Sequence, residues 1–300
     1  MESLQRLRVL REVAAHGSFT AAAHAIPMSQ PSVSQHMSSL ERELGTRLFD
    51  RTTAGAQLTP AGEVALRHAL RILRVADEAR RELEAMKTGT CTPLRVAAFG
   101  TACTALLPIA VANLRRTHPS VAFDFDECDV DVAVERVQHA DADVAVVFDY
   151  AAHPFDARGL VVQHLGDDPV EIVLPGNHPL SRAQVVPIER LADDPWIGGT
   201  GFGCRESLLT VCGAAGFAPQ VALNSNRYTT TLALVAEGHG CALVPATALQ
   251  NPPTGVVVGL LRPSAPPRRI WAVTTAPPEG PVGELVDALA TAVRDRTRTN

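Results

Sequence analysis

The residues of this 300-residue chain best suited to chemistry are hydrogen-bonding side chains rather than nucleophiles or metal ligands. Gln30, Pro31, Ser34 and Gln35 gather at the start of one amphipathic segment. A glutamine amide can donate and accept in pairs to an adenine edge, a serine hydroxyl serves either kind of base, and a proline ring can touch a thymine methyl. Around them stand Ser18, Thr20, His36 and Arg51, types that contact phosphate. A second set lies far downstream. The loop Gly100-Thr101-Ala102-Cys103-Thr104 follows an apolar run and leads into a helical one, so its backbone N–H groups and hydroxyls suit an anion. Thr200-Gly201-Phe202-Gly203-Cys204 lets a backbone approach a ligand closely, and Asn226-Arg227-Tyr228-Thr229 adds a cation at a helix start. Thr101, Cys103, Thr104, Phe202, Cys204, Arg227, Tyr228 and Thr229 are therefore the expected contacts of a small molecule, one carrying a carboxylate.

Enzyme signatures are missing. The sequence has no G-x-S-x-G elbow, no G-x-x-x-x-G-K-[ST] loop and no H-E-x-x-H, and its ten histidines are scattered. Its six cysteines form no C-x-x-C pair and no zinc spacing, so reduced, mostly buried thiols are expected. Neither an enzyme, a metal site nor a cofactor is expected.

The first set needs elements to hold it. Ser18 is a good N-cap for a helix rich in Ala21, Ala22, Ala23 and Ala25, which Pro27 stops at Ile26. Ser29 caps a second helix that tolerates Pro31 in its first turn, with Val33, Met37, Leu40 and Leu44 on one buried face. Two short helices and a tight turn make a helix-turn-helix. A helix over 3–15 precedes it, and a hairpin with its tip at Ala54-Gly55 follows, which makes the unit winged. Thr59-Pro60 then starts a helix of ~28 residues, ~42 Å long. Its seam of Leu66, Ala69, Leu70, Leu73, Ala76, Ala79, Leu83 and Met86 is expected to pair two copies, because so long a lone helix needs a partner.

Beyond a linker at 87–93 the pattern alternates strand and helix, which implies parallel sheets covered by helices. Strands are expected at 94–98, 121–125, 144–148, 161–165, 170–174, 221–223, 241–244, 256–261 and 270–275, with a short extended piece at 196–197. Helices are expected at 103–117, 132–139, from near Pro187, 205–215, 229–237 and 281–294. The pattern restarts after Tyr150, so the fold class is α/β: a largely α-helical winged helix-turn-helix, then two Rossmann-like α/β lobes with a ligand cleft between them. The expected division is 1–59 for DNA binding, 60–89 for the linker helix and 90–300 for the ligand domain. Lobe 1 takes about 90–160 and 268–300, lobe 2 about 161–267.

Net charge is −5. Residues 1–88 hold 12 basic and 10 acidic side chains and the remainder 15 and 22, so the amino-terminal part is only mildly basic and DNA binding rests on the motif. No long apolar run suggests a membrane span, and the amino terminus lacks the apolar core of a signal peptide, so a cytoplasmic, nucleoid-associated protein is expected.

The motifs Gly17-Ser18-Phe19-Thr20, Ala22-Ala23, Ser29-Gln30-Pro31-Ser32-Val33-Ser34, Leu40-Glu41, Leu44-Gly45, Leu48-Phe49-Asp50-Arg51 and Leu58-Thr59-Pro60-Ala61-Gly62 resemble the amino-terminal signature of LysR-type transcriptional regulators, in order and at its spacing. Leu106-Leu107-Pro108, Asn177-His178-Pro179-Leu180, Ala215-Gly216-Phe217 and Val235-Ala236-Glu237-Gly238 with Val244-Pro245 extend the resemblance through the chain. It implies a periplasmic-binding-protein type II-like effector domain, a homodimer through the linker helix and a homotetramer on double-stranded DNA at a promoter with dyad symmetry, with RNA polymerase as a further partner. One departure stands in the wing: Thr52 to Ala56 lack the second basic residue common in such regulators, and every phosphate left without a cation lowers the salt slope by about 0.9. Peroxide-sensing members use two cysteines near the positions of Cys204 and Cys212. Here the pair is eight residues apart, ~12 Å along a helix, too far to bridge without unfolding. A thiol-based redox regulator using this pair, or in another class a solute-binding protein, remains the alternative.

Overall fold

The computed structural model describes residues 2–52, 55–88 and 93–297. Helices α1 (Glu2–His16), α2 (Phe19–Ala25) and α3 (Gln30–Leu44) precede a hairpin of β1 (Phe49–Thr52) and β2 (Gly55–Leu58). The caps are those the sequence predicts. Ser18 Oγ accepts from the Ala21 N–H at 3.4 Å and Ser29 Oγ from the Ser32 N–H at 3.4 Å, while Gly45 ends α3 in the left-handed region. Val33, Met37 and Leu40 bury against Val9, Leu10, Val13 and Leu48. Leu44, expected on that face, is 51% exposed, because it stands in the last turn of α3, just before the chain turns away at Gly45. Of the tip expected at Ala54-Gly55, Gly55 instead pairs with Thr52, and residues 53 and 54 lie outside the described residues. Gly55 is strand, and a Cβ there would stand 2.5 Å from the Gly17 carbonyl.

Helix α4 (Pro60–Thr88) starts as expected, with Thr59 Oγ1 accepting from the Gly62 N–H at 3.0 Å and donating to the Arg47 carbonyl at 2.8 Å. Its seam divides. Leu66, Ala69, Leu70 and Leu73 are buried within the chain, where α4 packs on α1 and receives Gly159 and Leu160, so they are not a free dimer face. The side chain of Met86 and the backbone of the linker at 89–92, Cys91 included, lie outside the described residues.

Lobe 1 is built from β3 (Leu94–Ala98), α5 (Gly100–Ala105), α6 (Leu107–Thr117), β4 (Phe123–Glu127), α7 (Val130–Gln138), β5 (Val144–Asp149) and β6 (Val161–Asp168), closed by β13 (Arg268–Thr274) and α10 (Gly280–Thr297). Lobe 2 holds β7 (Val170–Pro175), β8 (Val185–Pro187), β9 (Pro195–Gly199), α8 (Cys204–Ala214), β10 (Gln220–Ser225), α9 (Tyr228–Ala236), β11 (Ala242–Pro245) and β12 (Val256–Arg262). The lobe 1 sheet runs β4-β3-β5-β13-β6, with β3, β4 and β5 parallel and β13 antiparallel to both neighbours. Lobe 2 carries β11-β7-β12-β8 and the parallel pair β10-β9, joined by a Trp196–Cys241 bridge.

Both lobes are thus α/β, but their sheets are mixed: in lobe 1 because β13 is a returning crossover strand rather than a unit of a β-α-β run, and in lobe 2 because β7 runs antiparallel to β11 and β12. β6 accordingly belongs to the lobe 1 sheet and not to lobe 2, since its partner is β13. The helix expected over 103–117 starts at Gly100 and breaks at Leu106, just before Pro108 removes a donor. β4 lies two residues later than expected. The helix expected near Pro187 is one 3-10 turn, Ile188–Leu191, cut short ahead of Pro195, which begins β9.

The winged helical unit docks on lobe 1 through α1. Glu12 is 5% exposed, Arg11 binds its carboxylate from Nε and Nη2 at 3.0 and 2.9 Å, and Arg11 Nη1 donates to the His139 carbonyl at 2.9 Å. His139 and His16 each place Nε2 3.6 Å from the second Glu12 oxygen. Burial alone would push the Glu12 carboxyl up; His139 and Arg11 outweigh it and hold it at about 2. The Glu12 carboxylate in turn raises the His139 imidazole above its ordinary 6.5, against its own burial. The signs are opposite. The Glu12 contribution is in place above 4.5 and is lost only as pH falls toward 2. The His139 contribution is complete below 6.5 and is lost as pH climbs through the raised value. An NMR titration of the full chain should therefore give a His139 midpoint above 6.5 that falls in Glu12→Gln; a midpoint indifferent to that change refutes the pairing.

Candidate functional site

Two places on the molecule gather the residues singled out from the sequence. The first is the outer side of α3. With Val33, Met37 and Leu40 turned inward, the helix turns Gln30, Pro31 and Gln35 to solvent and leaves Ser34 and His36 half-buried beside them. Gln30 Nε2 donates to Ser34 Oγ at 3.1 Å, one turn along, which orients the amide along the helix. Ser18 and Thr20 stand at the start of α2; the Ser18 cap uses its oxygen as acceptor, so the hydroxyl hydrogen is not spent on it. Glu41 Oε1 accepts from the Leu48 N–H at 2.7 Å and ties the wing to α3. A Cβ on Gly62 would fall 2.1 Å from the Leu48 carbonyl, so only glycine lets α4 start this close to the wing. Arg51 lies on β1 with its side chain outside the described residues. Arg47, exposed at the base of the wing, is a cation that sequence reasoning passed over.

The second place is a cleft of about 560 Å³ between the lobes. Thr101, Thr104, Phe202, Cys204, Arg227, Tyr228 and Thr229 all line it. Cys103 does not. It lies one turn into α5, its Sγ faces the Ala98 carbonyl at 3.5 Å, and burial together with Glu127 pushes the thiol up to about 11. Thr104 spends its hydroxyl on the Gly100 carbonyl at 3.2 Å.

Arg227, expected to be the ready cation, reaches across the cleft mouth to Glu127 at 3.3 Å. Both side chains are well exposed, so the pair contributes only ~0–1 kcal/mol and exchanges readily for another anion. Cys204, in the first turn of α8, has its Sγ 4.0 Å from the Tyr150 hydroxyl and 3.8 Å from that of Tyr228. Burial pushes the Tyr228 hydroxyl well up, so it stays protonated. Cys212 points the other way into the core, and burial raises its thiol to about 11. The five described cysteines are all free, and no helix among the described residues is long and apolar enough to cross a membrane.

Sequence reasoning missed the floor of the cleft. Arg268, 1% exposed, sits with its guanidinium carbon 4.7 Å from the ring centres of both Phe99 and Phe148. Its Nη2 donates to Asp168 at 2.6 Å, to Thr247 Oγ1 at 2.8 Å and to Thr101 Oγ1 at 2.9 Å. Asp168 also accepts from the Thr247 N–H and hydroxyl at 3.0 and 2.7 Å, so its charge is fully hydrogen-bonded. The one signal available was two charged doublets, Asp167-Asp168 at the end of β6 and Arg268-Arg269 at the start of β13; the register of β6 on β13 sets them face to face.

Residues 4–63 match the family described as bacterial regulatory helix-turn-helix protein, lysR family, and residues 87–298 the LysR substrate binding domain. The chain is similar to a protein of Streptomyces viridosporus named "Probable hydrogen peroxide-inducible genes activator", 30% identical over 98% of this chain and 95% of that one. It is also similar to a "Probable RuBisCO transcriptional regulator" of Cyanidium caldarium, 31% identical over 63% of this chain, a match that spans only 59% of that relative's length. Among solved structures, full-length CbnR complexed with its target DNA shares the fold at a TM-score of 0.53 and 21% identity, over 98% of this chain and 99% of that one.

Removing one member of a buried ion pair strands the other, at a cost of ~3–5 kcal/mol. Arg268→Met should therefore lower the unfolding free energy by about that much in chemical denaturation. Adding Asp168→Leu should recover part of the loss; additive losses would mean that the two side chains are not energetically paired.

Proposed function

The chain belongs to the LysR family of bacterial helix-turn-helix regulators, and we propose on that footing that it is a transcriptional regulator binding double-stranded DNA at a promoter site of dyad symmetry. The observation that carries this reading is the outer side of α3, where Gln30, Pro31, Ser34 and Gln35 stand above a buried Val33-Met37-Leu40 face. That is the geometry of a helix laid in a major groove, with short polar side chains toward base edges. Ser18, Thr20, His36 and Arg51 hold phosphates beside it, and Arg47 extends the wing's cationic edge.

The protein acts as a homodimer through α4. Val64, Ile72, Val75 and Leu83 are all exposed. At 100° per residue they fall within about 100° of arc, on the side of α4 away from Leu66, Leu70 and Leu73. A second α4 laid along this stripe would bury it, and pairing of dimers gives the homotetramer that a dyad site accommodates. The cytoplasm is the compartment that goes with such a role.

The cleft receives a small effector carrying a carboxylate. Such a group would take Arg227 from Glu127 and change the charge balance at the mouth at little cost. Neither a metal nor a cofactor enters this reading. A second reading attaches to Cys204, whose thiol lines the cleft between two tyrosine hydroxyls: oxidation of that thiol would signal peroxide. A bridge to Cys212 would require α8 to unwind, since ~12 Å of helix separates the two.

A gel shift with the intergenic DNA upstream of the protein's own gene should show a retarded complex at low salt that Gln30→Ala weakens by roughly 5- to 150-fold, the equivalent of ~1–3 kcal/mol for removing a bidentate hydrogen-bonded pair to a base. Wild type giving no complex would sink the DNA reading. Ile72→Asp with Val75→Asp should sediment as monomer where wild type sediments as dimer or larger; an unchanged assembly refutes the α4 interface. In a thermal-melt screen small carboxylic acids should raise Tm, and a response confined to uncharged analogues overturns the carboxylate assignment. Mass spectrometry after mild peroxide decides the thiol reading: an unmodified Cys204 removes it.

A further inference from the structure

Helix α7 touches both candidate sites. Its amino-terminal end is at the cleft, where Glu127, Cys128, Asp129 and Val130 form part of the wall and Glu127 holds Arg227 of lobe 2. Its carboxyl end is at the DNA-binding unit. There His139, the C-cap of α7, gives its backbone carbonyl to Arg11 and its ring to Glu12. Between the ends lie nine residues, ~13 Å of helix. Val130, Ala133, Val134 and Val137 bury one side of α7, where it packs on β3, β5 and β13. Asp131, Glu135 and Gln138 face a cavity of about 250 Å³ whose other wall is Arg11, Ala14 and Leu66. A packed helix of this length does not bend between its ends, so a shift at the first turn arrives at the last. On the far side of the contact, α1 packs directly on α3, the DNA-reading helix.

The geometry points to α7 as the element that couples the effector cleft to the DNA-reading helix within a single chain, with Glu12 and His139 as the positioning residues that lock α1 to its end. This rests on the reading of the cleft and of α3 given above. An effector that takes Arg227 from Glu127, the last residue of β4, releases from lobe 2 the short turn that leads into the amino-terminal end of α7. The helix then settles differently on its sheet, and the Arg11–Glu12–His139 contact passes the change to α1. By reciprocity, loosening the α1 contact must loosen the cleft end as well.

The test uses hydrogen exchange on the full chain without DNA, so that its failure is separate from failure of the gel shift. Glu127→Arg sets two cations against each other at the cleft mouth. It should speed exchange not only at residues 127–130 but also at 9–16 in α1, by ~3-fold or more. His139→Gln should speed exchange at 9–16 and equally at 127–130. At pH 6, below the ordinary 6.5 of the imidazole, His139→Lys keeps a cation beside Glu12 and should exchange as wild type does. Glu12→Gln, which breaks the contact from the other side, serves if His139→Gln melts below the working temperature. Changes confined to the mutated end of α7, or a His139→Lys protein that behaves as His139→Gln does, overturn the proposal.

Discussion

An arginine shielded from water, packed against two phenylalanine rings, joins the two lobes of this molecule. Arg268 lies on the returning crossover strand and Asp168 on the outgoing one; the Thr101 and Thr247 hydroxyl oxygens accept from the guanidinium, and Thr247 donates in turn to Asp168. A buried charge is tolerable only when it is paired and its hydrogen-bonding capacity is filled. That constraint decides the geometry of everything nearby. It fixes where β6 and β13 cross, it brings the first turn of α5 against the 3-10 turn at Ala246–Leu249, and it makes the base of the cleft rigid while the mouth stays adaptable. The contrast between the buried Arg268–Asp168 pair and the exposed Arg227–Glu127 pair is the physical basis of a cleft that can respond to a ligand without coming apart.

The amino-terminal part, through α4, obeys a different constraint, one of apolar area. Helix α4 carries two apolar stripes on nearly opposite sides. One closes the small core of the DNA-binding unit, and the other is left in solvent by the single chain. A small helical unit with little core of its own gains from every surface that covers it. Here three do so: α4, lobe 1 through Leu160 and His139, and on our reading a second copy of the chain. The orientation of the reading helix is thereby tied to all three surfaces and not to its own sequence alone.

Much of this was legible in advance, for identifiable reasons. Caps, proline stops and the 3.6-residue period act over a few residues, and so Ser18, Ser29, Gly45 and Thr59 marked their helices correctly. Seven of the eight expected cleft residues line the cleft, because loops at strand ends in an α/β lobe face the same way. The errors have one source. Whether Leu66 or Val75 pairs with a second copy, whether β6 belongs to one lobe or the other, and whether Arg227 is a free cation depend on what lies opposite, and periodicity is silent about that. Leu44 and Cys103 failed in the same way: each sits correctly on its helix and faces something the local pattern does not contain.

The sequence by itself determined the elements, their order and the polar character of α3, since these follow from short-range sterics, capping and the placement of apolar side chains. Only the tertiary structure decided the Arg268–Asp168 pair, the two-sided use of α4 and the bridge of α7 between cleft and DNA-binding unit. The Arg268–Asp168 pair and the contact of α7 with α1 join residues 100 or more positions apart, and what such residues meet is settled by how the packed lobes close and not by any property of the chain near them.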